Sequence, residues 1–285
     1  MGDPWHLEIE SVNLPVSPYA GLMDESFIQT IPKIRESVSR SLQPKQKIVE
    51  GWVPVVPVNK RDHLAESRTK EPEGWSLSEI NPAVALEYLP SLHLKKGWKL
   101  VGYQFKNGNN GNGVVCAIPE TSTFDLSSCL AQNKEVVPGV VLPTPRPSGS
   151  ATSFMEAIES DGSSEAYLQA SILFREFNEF GAIWHGCSWS THTILFSDPW
   201  SRKLKPKNRE EMSDQIHWKF EVDKPDCWEP SVKRQGEAVT VSFFTFSALG
   251  SEAIYLHRDR YPSSSMVPEA EEEEIIATGR GGYIF

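Results

Sequence analysis

Apolar residues recur at helical spacing between Ser164 and Phe180. Ala166, Ala170, Leu173, Phe177 and Phe180 follow one another at steps of four, three, four and three, and Glu165, Gln169, Glu176 and Glu179 fall on the opposite side. That pattern predicts a long amphipathic helix. Ser163 or Ser164 can cap its start, and Gly181 can close it in a left-handed conformation. Beyond it the period changes to two. Ile216, Trp218, Phe220 and Val222 share one face of a predicted strand, and the β-rich run from Ala238 to Ser247 joins AIYLHRDRY through the short LGSE turn. IIATG and the terminal GYIF are expected to close the sheet. Sequential strands with short connections predict an antiparallel meander packed on that one long helix. Phe177, Trp218, Phe220 and Phe243 are the expected core.

The N-terminal half is less regular. Its first twenty residues have no periodicity and read as an extended arm. Phe27, Ile31, Ile34, Val38 and Leu42 predict a helix with Asp24 as N-cap, which either kinks at Pro32 or begins there. KIVEGWVPVVPV is β-branched but carries Pro54 and Pro57, so it reads as an edge strand or an extended docking segment. A charged loop spans Asn59 to Gly74, and a short helix is expected near Pro82 to Leu89. GWKLVGYQFK and GVVCAIP then form a hairpin around NGNNGNG. From Thr121 to Ser153 the chain is rich in proline and poor in periodicity, which suggests a linker or surface-wrapping segment. The expected class is α+β: an antiparallel sheet on one long helix, with a smaller N-terminal helix-plus-hairpin part. The expected division is 1–120, 121–160 and 161–285, with the first and last able to form a single domain.

Composition narrows the function classes. With 285 residues, 39% of them hydrophobic, the chain can bury a substantial core. No apolar run approaches the ~18 residues that span a bilayer. The N-terminus lacks a signal-peptide pattern, and His6 stands where a myristoylation signal needs Ser or Thr. A soluble, cytoplasmic protein without membrane contact is expected. The net charge of -10 argues against a surface devoted to nucleic acid. Cys116, Cys129, Cys187 and Cys227 show no C-x-x-C spacing and are expected to be free, buried thiols with no metal; no cofactor is expected.

Chemistry-bearing residues concentrate in GAIWHGCSWSTHTIL, Gly181 to Leu195. On a regular strand His185, Cys187, Trp189 and Thr191 point one way, and Trp184, Ser188 and His192 the other. Trp184, His185, Cys187, Trp189 and His192 are therefore the candidates for a ligand or partner pocket. A zinc site here would need further ligands from His217, Cys227, His257 or His6, and nothing in their spacing demands one. The leading expectation is a buried strand beneath the long helix. The glycine-rich Gly108 to Gly113 resembles a phosphate loop superficially, yet a strand follows it where a helix should, so it is expected to be a hairpin tip.

Arg202, Lys203, Lys205, Lys207 and Arg209 form a basic run opposite in sign to Glu269 and Glu271 to Glu274. They, with Arg258, Arg260 and Tyr261, are the candidate contacts to RNA or an acidic partner. No G-x-S-x-G, H-E-x-x-H, Walker or kinase motif is present. Three functions follow. The leading one is a non-catalytic accessory or assembly subunit that docks protein partners through proline-rich segments and aromatic patches. The second is a ribonucleoprotein subunit, and the third a small-molecule binder or Cys/His enzyme with its pocket at Trp184 to His192.

Overall fold

The computed structural model describes residues 75–78, 81–107, 110–122, 130–137, 140–183, 186–200 and 218–284. The predicted arm, the helix around 27–42, the VPVVPV segment, Cys129, Trp184, His185, the Arg202 to Arg209 run and His217 lie outside them. The described chain is α+β and consists mostly of antiparallel sheets.

Period-two alternation builds the largest sheet. Strands β10 (Ser231–Gln235), β11 (Ala238–Ser247), β12 (Ala253–Pro262), β13 (Ala270–Thr278) and β9 (Lys219–Phe220) lie side by side in that order, and β8 (Thr193–Leu195) also pairs with β11. In β11, Val239, Val241 and Phe243 are fully buried on one side and join the core that includes helix α1, Ser164–Asn178. Phe244 and Phe246 face the other side, where Trp218, Trp228, Ile254 and Ile276 make a second cluster. Trp218 and Phe243 are thus buried as expected, and Phe220 is partly so, but Val222 is 41% exposed because β9 stops at Phe220.

Ser163 caps α1 by accepting from the Ala166 N–H, and Gly181 takes a φ of 76 just beyond the helix end. Ala166, Ala170, Leu173 and Phe177 are buried. Gln169 and Glu176, assigned by periodicity to the polar side, are buried as well. Each has a partner distant in sequence: Gln169 Oε1 accepts from Ser91 N–H at 3.0 Å, and Glu176 accepts from Trp189 Nε1 at 2.7 Å. The helix is enclosed on more sides than a surface helix.

Strands β1 (Trp75–Leu77), β3 (Trp98–Asn107) and β4 (Asn110–Pro119) form a three-stranded sheet, and β2 (Leu92–Leu94) pairs with β7 (Ile158–Ser160). Pro82–Tyr88 is a 3-10 helix capped by Asn81. Two expectations are corrected. Asn110 to Gly113 belongs to β4 and not to a hairpin tip: Gly113 packs where a Cβ would run into the carbonyl oxygens of Phe180 and Tyr103, so glycine permits a close backbone approach. The proline-rich stretch contains a hairpin, β5 (Leu130–Val137) with β6 (Val140–Arg146), whose Pro143 and Pro145 are tolerated because β6 has β5 as its only ladder partner among the described residues. The main core joins Ala85, Leu100 and Met155 to Leu173, Val241 and Met266, so it draws on residues from both halves of the chain. The terminal segment does not pair as a strand. Tyr283 makes an isolated parallel bridge to Leu249 and is 43% exposed, and Ile284 is 85% exposed. No helix among the described residues is long and apolar enough to cross a membrane.

Candidate functional site

The stretch singled out by its sequence is not a strand until its end. After Gly181, Ile183 bridges to Gly111, Trp189–Thr191 form a 3-10 turn, and only Thr193–Leu195 pair with β11. Glu179, just past α1, organises this turn. Its carboxylate accepts from the backbone N–H groups of Ser188, Trp189 and Ser190. Tight turning places Trp189 and His192 on the same side, stacked at 5.4 Å and both buried, where strand parity had separated them. Cys187 is half-buried, and that burial pushes its thiol above the ordinary value. A raised thiol is protonated at neutral pH, the reverse of what a cysteine nucleophile needs. Cys116 is buried, whereas Cys227 is exposed and not the buried thiol expected.

Trp189 and His192 enter a polar network that ties α1 to the sheet. The guanidinium of Arg175 binds Asp259 through two bonds of 2.5 and 2.7 Å, and lies 5.1 Å from the Phe243 ring centre and 5.5 Å from that of Trp189. Ser171 and Tyr261 share a hydrogen bond of 2.8 Å. Thr245 Oγ1 stands 2.8 Å from His192 Nδ1 and 2.8 Å from His257 Nε2. One hydroxyl has one proton, so Thr245 donates to one ring and accepts from the other, which couples the two tautomers.

Burial, then the charge of Arg175 and the neighbouring His192, push His257 down to about 2, so it is neutral at physiological pH. The 3.4 Å approach of its Nδ1 to Glu273 is therefore not an ion pair, and that nitrogen completes no hydrogen bond. Glu271 and Glu273 reach solvent at the sheet margin, but loss of hydration on their inner side holds them above the ordinary carboxylate value despite Arg175 nearby.

Of the predicted site residues, the structure brings Trp189 and His192 together and leaves Cys187 outside their cluster. Arg258 and Arg260 are engaged with acids, Arg258 with Glu274 at 3.0 Å and Arg260 with Glu269 at 3.7 Å. The Tyr261 ring is fully buried against Tyr167, so it offers no face to a base or a neighbouring chain. Thr245, Asp259, Arg175 and Glu176 were not anticipated, and His257 was considered only as a distant zinc ligand. One signal was available: Thr245 follows the parity of the apolar Val239, Val241 and Phe243, and His257 and Asp259 follow that of Tyr261. Polar side chains on a core-facing parity call for partners. Among the described residues no group of three or more His, Cys, Asp and Glu is arranged to hold a metal. Comparison with family models, curated proteins and solved structures finds no match.

Proposed function

We propose that the chain is a non-catalytic accessory or assembly subunit of a cytoplasmic complex, binding other proteins through extended segments at its surface. The observation behind this reading is the direction in which its reactive groups face. Arg175 with Asp259, Glu176 with Trp189, and His192 with Thr245 and His257 satisfy one another inside the molecule. Such a network rigidifies a fold and specifies one packing. It offers substrate neither an exposed base nor an activated nucleophile. In this reading α1 is the spine on which the antiparallel meander is fixed, and recognition is assigned to proline-bearing segments: the first twenty residues, Gly51 to Val58, and the β6 strand of the β5–β6 hairpin. Extended proline-bearing chain loses little conformational entropy on docking.

Affinity purification from the native host, with mass spectrometry and a reading at 260 nm, tests the proposal. Stoichiometric protein partners are expected, lost when residues 2–20 are deleted and retained by Cys187→Ser. A dispensable arm together with a Cys187→Ser chain that folds but loses its cellular activity would overturn it. Co-purifying nucleic acid would transfer the assignment to a ribonucleoprotein subunit.

A further inference from the structure

We propose that β13 is a docking strand for a lysine- or arginine-bearing extended segment of a partner protein, which adds to the sheet edge and sets alternate cationic side chains against Glu271 and Glu273. The inference rests on the assembly reading and names the chemistry of one partner surface.

Three observations carry it. The first is an open edge. β12 pairs with β13 from Ala270 to Thr278, but on the outer side β9 pairs only with Ala277 and Thr278, and the Glu221 N–H reaches no further than the Ile276 carbonyl. Among the described residues, Ala270 to Ile275 has no strand beyond it. Such an edge templates pairing with another chain.

The second is uncompensated charge. The register sets Glu271 opposite Asp259 and Glu273 opposite His257, on the side of the sheet that faces α1. The cation near them is Arg175, and its guanidinium is held bidentately by Asp259. On the opposite side Glu274 has Arg258, and beside the strand Glu269 has Arg260. On the side facing α1, Glu271 and Glu273 are thus acids without a cation of their own, while Glu272, opposite Arg258 on the other side, shares its surroundings with the Arg258–Glu274 pair. Glu271 and Glu273 stand two residues apart, about 7 Å along a strand, which is the spacing of alternate side chains on an added strand.

The third is the unsatisfied imidazole. His257 is fully buried, and its Nδ1 points at Glu273 Oε2 from 3.4 Å without completing a hydrogen bond. A cation bound on the outer side of Glu273 would fix that carboxylate and hold its other oxygen toward His257. The glutamates also select the occupant: two copies of β13 repel each other, so a like strand is disfavoured and a basic one favoured.

The test uses the full chain and a fluorescein-labelled peptide of alternating lysine and valine, with binding read by anisotropy. The account expects saturable binding, weakened by at least about tenfold in the Glu271→Gln, Glu273→Gln double variant and by less than about threefold in Glu272→Gln, Glu274→Gln. Methylating alternate backbone nitrogens of the peptide keeps its charge and prevents strand pairing, and should abolish binding. This arm decides the matter even if a substituted protein melts early. Absence of binding, equal loss in both double variants, undiminished binding of the methylated peptide, or displacement by spermine at equal charge would each overturn the proposal. Native partners that still co-purify with Glu271→Gln, Glu273→Gln would overturn it while leaving the assembly reading standing.

Discussion

The central hydroxyl of Thr245, with imidazoles on both sides, is the residue on which the helix-facing network turns. Thr245→Val keeps the shape and removes the bridge, stranding two buried ring nitrogens at a cost of about 1–3 kcal/mol per unsatisfied group. Asp259→Asn is the harsher change. The Asp259 side chain is 1% exposed and that of Arg175 11%, so the substitution leaves a buried guanidinium without its counter-charge and should cost about 3–5 kcal/mol in urea unfolding. His257 gives the chain a pH dependence with a definite sign. Its folded value is far below the ordinary 6.5, so the unfolded chain takes up a proton that the folded chain refuses. The stability associated with neutral His257 is complete above pH 6.5 and declines as the pH falls below it, approaching about 1.4 kcal/mol per pH unit. Glu271 and Glu273 act with the opposite sign, since carboxylates raised in the fold favour the folded state on acidification. The difference in unfolding free energy between wild type and His257→Gln isolates the histidine. That difference should shrink from pH 7 toward pH 5; a flat difference would mean that His257 is hydrated and charges freely.

At the scale of elements, legibility followed local patterning. The β3–β4 pairing and the β11–β12 hairpin were readable because alternation and short turns are local signals, whereas of β13 only the Ile275 to Thr278 end was, its acidic first half having no apolar alternation. Helix α1 was readable in its start, with Ser163 as N-cap, and nearly in its end, which falls at Asn178 where Phe180 was expected, but not in its environment. Nothing near Gln169 or Glu176 in sequence announces that Ser91 and Trp189 will cover them. Residues 186–192 defeated parity because their path is set by Glu179 gathering three backbone N–H groups, a contact no periodicity encodes. The hairpin of β5 and β6 was hidden by prolines that normally argue against strands. Phe177 is 1% exposed and packs against Phe154 and Phe180, so Phe177→Ala should cost about 3–5 kcal/mol. Gly113→Ala should be comparably damaging, because its new methyl group meets backbone that cannot rotate away. Melting curves that leave either variant unchanged would contradict the packing of α1 against β4.

For the whole molecule, the main core collects side chains from Ala85 to Met266, and the polar network binds α1 to the sheet within it. Trp189 and His192, expected on a buried strand, are enclosed, and so is Tyr261, which the sequence offered as a contact to RNA or an acidic partner. Among the described residues, β13 presents an acidic run, Glu271 to Glu274, largely to solvent. The proposed assembly role assigns this molecule to holding partners. The most direct measurement is the native mass of the tagged chain isolated from its host. The account predicts a heteromeric particle well above 31.9 kDa, containing a second protein in fixed ratio. A monodisperse species at 31.9 kDa that carries a small molecule would contradict it.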